Sequence, residues 1–215
     1  MAERFVRVDL HLHSSASWDC DVPPGVVAVR CRSLGLGPVF LTDHDTMNGA
    51  LELRRADPLG VVAGQEVTTA EGELIGLFLE RPIEPGLPAE EAARRIKAQG
   101  GLVYLQHPYD RRRRSLPEAT IERLAAGIDV VEVFNGRSAP ADNRRAEDLR
   151  EILDAAPGAG SDAHTLEEIG GVYVELPAFS DAPDFLAKLR RARIVRRPSR
   201  RRLRLEALAS RVTGR

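Results

Sequence analysis

Apolar positions in this chain fall in short runs whose period switches between two and three to four. "FVRVDLHLH" alternates apolar and polar residues, as a half-buried strand does. "PPGVVAVRCRSLG" follows, with prolines at its start and glycine at its end, the punctuation of a helix. The switch then repeats. "GPVFLTDHD" predicts a strand and "NGALELRRA" a short helix. "GVVAGQEVTTAEGELIGLFLE" predicts one or two strands around a turn at Glu71-Gly72. "PAEEAARRIKAQGG" predicts a helix and "LVYLQHP" a strand. "PEATIERLAAG", "DVVEVFNG", "ADNRRAEDLREILDAA" and "PGAGSDAH" continue as helix, strand, helix, strand. "GGVYVEL" adds a strand, and "DAPDFLAKLRRARIV" predicts a closing helix. Such alternation predicts an α/β fold with a mainly parallel sheet. Seven or eight strands suit a TIM-like barrel, but 215 residues are fewer than the roughly 250 typical of one, so the ring must be compressed or distorted. A doubly wound open sheet is the alternative, and no glycine-rich fingerprint follows the first strand to support it.

The polar residues of interest cluster at one end of this pattern. All five histidines, His11, His13, His44, His107 and His164, lie in or just beyond the C-terminal end of a predicted strand. His11 and His13 are two apart, so a strand points both the same way. Asp9, Asp43, Asp45, Glu66 and Asp162 sit beside them in sequence. In a parallel barrel the strand ends converge on the face where active sites form. Histidines and carboxylates without thiolates make a hard-to-borderline metal site, suited to zinc, manganese or iron. The candidate ligands are His11, His13, Asp19, His44, Glu66, His107, Asp162 and His164, too many for one tetrahedral ion. They point to two or three divalent ions, with a carboxylate such as Glu66 bridging. Three ligand carboxylates against two or three divalent ions leave the occupied site net positive. That favours an anionic substrate, a phosphate ester above all.

Composition narrows the setting. The hydrophobic fraction of 43% is that of a globular chain, and no apolar run approaches the roughly 18–20 residues of a membrane span. "MAERFVRVDL" has no apolar signal-peptide core, and Cys20 and Cys31 form no disulfide framework, so a reducing cytoplasm is expected. The formal net charge of −1 hides a split. From Lys188 to the end stand twelve basic residues and one acid, which leaves the rest at a formal −12. We therefore divide the chain into a barrel domain at 1–197 and a basic tail at 198–215. The tail is a solvated segment or a binder of nucleic acid.

Six stretches, "DLHLHSSASWD", "LTDHDTMNGA", "GQEVTT", "LQHPYD", "VEVFNGR" and "GSDAH", together resemble the motifs of the PHP (polymerase and histidinol phosphatase) superfamily of metal-dependent phosphoesterases. They occur in the family's order and run from residue 9 to 164, about three quarters of the chain. The resemblance implies a distorted (β/α)7 barrel with two or three metals in its mouth. By motif it assigns the same eight ligands. It also implies hydrolysis of a small phosphorylated metabolite, a nucleotide or an oligonucleotide end by a metal-activated water. Many members carry a further ligand at the strand that here reads "VEVFNGR", where this chain offers Glu132 and Asn135. Asp43 or Asp45 is the candidate for orienting ligands or moving a proton.

Arginines near the motifs, Arg111, Arg112 and Arg137, are candidates for holding a substrate phosphate, which guanidinium grips in a bidentate way. Trp18 is read as a cover over the barrel, with stacking of a base as the alternative. Tyr109 lines the pocket or packs, and nothing marks Cys20 as a nucleophile. Two other functions compete. A barrel amidohydrolase also opens on H-x-H, but commonly bridges its metals with a carboxylated lysine, and Lys97 and Lys188 both fall in predicted helices. A non-catalytic module with structural metals would be expected to have lost ligands.

Overall fold

The computed structural model describes residues 4–58 and 60–196, so the basic tail lies outside the described residues. In chain order the elements are β1 (Phe5–Val8), α1 (Pro24–Ser33), β2 (Val39–Leu41), α2 (Asn48–Ala56), β3 (Val61–Thr68), β4 (Glu73–Leu77), α3 (Ala89–Lys97), β5 (Leu102–Leu105), α4 (Glu118–Leu124), β6 (Val130–Asn135), α5 (Pro140–Ile152), β7 (Ala156–Gly160), β8 (Val172–Pro177), α6 (Ala182–Leu189) and β9 (Arg193–Arg196). Proline starts most of the helices. Pro24 and Pro140 take the first helical position of α1 and α5, where the missing N–H costs nothing. Among the described helices only α6 has a side-chain cap, Asp181, which accepts from the Asp184 amide.

Strands β2 to β7 form one curled half-barrel sheet in sequence order. It is mixed, where the sequence predicts a mainly parallel sheet: β4 runs antiparallel to both β3 and β5. The cause is a tight turn. The amide and hydroxyl of Thr69 both reach the Gly72 carbonyl, at 2.6 and 2.7 Å, and fold β3 back as a hairpin. β1, β8 and β9 form a separate antiparallel sheet. The last of these corrects a second expectation. "RIVR" is a strand paired with β8, not the end of the closing helix, because Ile194 and Val195 pack against the core while arginines flank them. The basic flanks mask the short apolar alternation.

Strand parity sorts the side chains. Leu41, Ala63, Val67, Val103, Leu105, Val131 and Val133 pack outward with residues of α1 to α5. Phe40, Val62, Leu102, Tyr104 and Val130 face inward and meet Val8, Val174 and Phe185. Glu66 shares the parity of Val62, and Glu132 that of Val130, so both carboxylates enter the sheet's interior beyond its apolar floor.

The stretch "FVRVDLHLH" is not one strand. β1 ends at Val8, and buried Asp9 turns the chain out of the small sheet, accepting from the Ser161 amide at 2.8 Å and its hydroxyl at 2.5 Å. Burial, against these hydrogen bonds, pushes the Asp9 carboxyl up to about 7. Leu10–His13 then runs between the two edges of the large sheet. On one side the Leu10 and His13 amides reach the carbonyls of Ala159 and Ala163, and the His11 carbonyl accepts from Asp162. On the other, the Thr42 amide reaches the Leu12 carbonyl at 2.9 Å. Gly160 allows this approach, since a Cβ there would lie 2.3 Å from the Cβ of His11. Gly160→Ala is expected to cost about 1–3 kcal/mol by overpacking and to displace the histidine pair. Denaturant unfolding checks the first effect and metal titration the second; an unchanged midpoint would refute the close packing.

Candidate metal centre

The eight residues singled out by sequence come together at the end of the curled sheet. The Leu10–His13 segment supplies His11 and His13, both fully buried, with ring centroids 5.0 Å apart. Glu66 is the hub. Its Oε2 lies 3.0 Å from His11 Nε2, 3.3 Å from His13 Nε2 and 3.7 Å from His44 Nε2, and its Oε1 is 3.3 Å from His107 Nε2. Asp162 Oδ1 lies 3.8 Å from His11 Nε2 and 3.6 Å from His13 Nε2. Asp19 Oδ2 is 2.8 Å from His164 Nε2 and 3.4 Å from His44 Nε2. Among the described residues, donor atoms close enough to share an ion occur in four overlapping groups. These are His13, Asp19, His44 and His164; His11, His107 and Asp162; His11, His13 and Glu66; and His44, Glu66 and Glu73. Glu73, at the start of the hairpin's return strand, is an addition that sequence reasoning missed. Finding it required the hairpin register, which sets it opposite Thr68.

Several site residues adopt a backbone conformation that is uncommon outside glycine. Asp45, His107 and Asp162 have φ of 54°, 29° and 55°.

Electrostatics test whether metal ions fit. His13 Nε2, Asp19 Oδ1 and Asp162 Oδ1 are buried, yet no hydrogen bond within the described chain satisfies them. Buried polar atoms are almost always paired, so such a trio at one spot calls for a ligand. Glu132 accepts from His11 Nδ1 at 3.1 Å, which turns the lone pair of Nε2 toward Glu66. A cation, either a proton or a metal ion, must stand between that lone pair and the carboxylate. Accordingly, although burial opposes it, the charges of Asp162, Glu132 and Glu66 hold the His11 pKa well above the usual value. Burial pulls His13 down to about 4, ready as a neutral ligand. His44, against its own burial, is raised to about 9 by Asp19 and Glu66. Asp19 and Glu66 are lowered, also against burial, by the histidines around them. The residues fit divalent metals.

A proton-coupled uptake follows. At pH 7 His44 lies below its raised pKa of about 9 and carries a proton, which a metal must displace. Metal affinity should therefore climb as pH rises from 7 toward 9. Calorimetry in two buffers of different ionisation enthalpy measures the released protons; no buffer dependence at pH 7 would contradict this.

The remaining sequence candidates take supporting positions. Glu132 is buried, with Tyr104 Oη, the His107 amide and Asn135 Nδ2 all donating to it at 2.8 to 3.0 Å. Asn135 also donates to Asp162 Oδ2 at 3.0 Å, and its Oδ1 accepts from the Arg137 and Ser138 amides. Neither residue belongs to a donor group. Asp43 is occupied by the Ser14 amide and hydroxyl, at 2.6 and 2.8 Å, and by Ser17. Asp45 accepts from the Thr68 amide at 2.7 Å. Gln106, which the sequence reading passed over, donates to Glu66 Oε1 at 3.0 Å.

Asp19, His44, Glu66, Glu73, His107 and His164 line a cavity of about 460 Å³, rimmed by Arg112, Arg113, Arg114, Arg137 and Trp18. Arg111 is not on its wall. Arg113, which the sequence reading did not single out, pairs with Asp162 and lies 3.6 Å from Asp110. Arg112 holds Asp110 in two hydrogen bonds of 3.0 Å. The hairpin anchors this loop, since the Glu73 amide donates to the Arg114 carbonyl at 2.7 Å. Arg137 reaches His164 Nδ1 at 2.6 Å. Trp18 does not cover the barrel. It is 83% exposed, because its loop holds it at the rim beside His44 instead of over the core. Tyr109 packs under the Arg145 guanidinium, 3.8 Å from its ring centre. Cys20 is buried, and burial raises its thiol pKa, so it is no activated nucleophile. A larger cavity of about 760 Å³, lined by Arg4, Arg7, Arg32 and Arg193 among others, contains none of the donors. Lys97 and Lys188 pair with Asp129 and Asp184, away from the donor set.

A curled α/β sheet with a histidine- and carboxylate-lined pocket at its strand ends is the build of a barrel-type metal protein. Residues 140–194 match the PHP-associated family model. The chain is 36% identical over 188 residues to the uncharacterized protein MJ0417 of Methanocaldococcus jannaschii, covering 85% of this chain and 76% of that one. It belongs to the PHP superfamily. The fold is similar to that of a two-domain protein from Bacteroides vulgatus containing a predicted PHP-like metal-dependent phosphoesterase, with a TM-score of 0.75 and 20% identity. That match covers 91% of this chain and 66% of the other. It is also similar to an amidohydrolase from Chromobacterium violaceum solved with bound sulfate and no metal, with a TM-score of 0.61 and 20% identity, covering 88% and 97%. Among the described residues, no helix is long and apolar enough to cross a membrane.

Proposed function

We propose that the chain is a metal-dependent phosphoesterase of the cytoplasm, built on a distorted (β/α)7 barrel with a di- or trinuclear site. The observation that carries this reading is the trio of buried, unsatisfied donor atoms on His13, Asp19 and Asp162 beside Glu66. His11, His13, Asp19, His44, Glu66, His107, Asp162 and His164 would hold two or three ions of zinc, manganese or iron. When bound, the ions supply Lewis acidity and lower the pKa of water for attack on phosphorus. The chain's own residues do the rest. Glu132 fixes the His11 ring, and Asn135 fixes Asp162. Arg113 and Arg137 offer guanidinium groups to phosphate oxygens. The Bacteroides fold neighbour's name supports the same class. The amidohydrolase reading loses its bridge, since both lysines are paired elsewhere.

The test loads the full chain with zinc or manganese and screens phosphomonoesters, nucleotides and short oligonucleotides. Chelator-sensitive phosphate release is expected. Bound metal with no hydrolysis of any ester would leave a non-catalytic module. We further take residues 1–197 as the working barrel and 198–215 as a dispensable basic tail that can hold polynucleotide. Deleting 198–215 should leave turnover of a small phosphoester almost intact and flatten the salt dependence of oligonucleotide affinity by about one unit of slope per lost contact. Collapse of small-ester turnover in a folded truncation would contradict this division.

A further inference from the structure

Trp18 is the chain's single tryptophan, and at 83% exposure it contributes little to the core. An indole left this open at a pocket rim presents a free aromatic face. The loop that carries it is pinned on both sides. Ser14 and Ser17 bond to Asp43, and Cys20 Sγ donates to the His164 carbonyl at 3.4 Å. The loop is therefore held in place, and it sets the indole 5.7 Å from the His44 ring between centroids. His44 Nε2 in turn lies 3.7 Å from Glu66 Oε2. Trp18 thus stands one imidazole's width from the donor set, a gap that a ribose can bridge. Beside Asp162 and His164 the rim carries arginines instead, with Arg113 on Asp162 and Arg137 on His164. One pocket thus combines an aromatic platform, a donor cluster suited to metal ions and guanidinium groups suited to phosphate.

The geometry points to a nucleotide as the substrate, its base stacked on Trp18 and its phosphate between the donors and the arginines. This rests on the phosphoesterase reading and deepens it. A base stacks on an aromatic face whatever its identity, so Trp18 selects for the presence of a base and not for one base over another.

The test compares AMP with ribose 5-phosphate, which share sugar and phosphate and differ only by the base. In the zinc-loaded full chain, read immediately after mixing, AMP should quench the fluorescence of the single tryptophan saturably, and ribose 5-phosphate should not. Trp18→Ala should lower the ratio of kcat/KM for AMP over ribose 5-phosphate about tenfold, the loss of one stack, and Trp18→Phe should restore most of it. Equal kcat/KM for the two esters, with no quenching by AMP, overturns the proposal and leaves the phosphoesterase reading standing. Saturable quenching by AMP without turnover of either ester also overturns the proposal, since AMP is then bound but is not a substrate, and leaves the phosphoesterase reading to the wider screen of esters. A blue shift in emission that grows with protein concentration assigns Trp18 to a contact between two copies of the chain, and also overturns the proposal.

Discussion

Asp162→Asn and His11→Ala are each expected to strip metal from the protein and lower phosphoester hydrolysis by about a thousandfold or more. The loss of several kcal/mol of Lewis-acid stabilisation corresponds to that factor. Asp162 joins a donor group with His11 and His107, and its Oδ1 accepts no hydrogen bond among the described residues. Asparagine keeps its shape and tolerates the positive φ of 55°, so the backbone survives while the charge goes. Arg113 keeps Asp110 as a partner and is not left without one. His11→Ala is harsher, since it leaves Glu66 and Glu132 buried without their imidazole. Elemental analysis of both folded variants decides the matter. Unchanged metal content in both removes the multinuclear site.

The second large effect is expected one layer back. Glu132→Gln should weaken metal binding about 10- to 100-fold, because the carboxylate sets the tautomer and the basicity of His11. It should also cost about 1–3 kcal/mol of stability. Four donors converge on Glu132, from His11, Tyr104, His107 and Asn135, and an amide brings an NH2 among them. Tyr104 cannot adapt by ionising: burial and then Glu132 itself push its pKa well above normal, so the phenol keeps its proton. Metal titration and denaturant unfolding measure the two effects separately. Lost stability with unchanged metal affinity would reduce Glu132 to a packing role.

The strand ends were the legible part of this molecule. A histidine or carboxylate just past an apolar run has few reasons to be there: all five histidines joined a donor group, while Asp9, Asp43 and Asp45 brace the chain behind them. Glu66 could be read as the end of an apolar run, and Glu132 as facing inward because it alternates with apolar Val131 and Val133. What stayed hidden depended on pairing between distant segments. Nothing local in "GELIGL" says that it runs antiparallel to both neighbours, and Glu73 joins the site only through that register. Nothing in "RVDLHLH" says that its first half pairs with β8 while its second half leaves the sheet at Asp9. Arg113 could not be told from Arg111, because four adjacent arginines share one composition and only the turn after Asp110 sorts them.

The placement of Leu10–His13 between the edges of the large sheet also sets a timetable for assembly. Its hydrogen-bond partners on one side are residues 159–163, and on the other Thr42. A chain emerging from the ribosome therefore carries its first two histidines exposed while most of the remaining sequence is still being made. Until Asp162 and His164 have been synthesised, a metal ion meets only a partial set of donors. The centre is thus completed late in synthesis, when the two edges of the sheet close on the histidine pair.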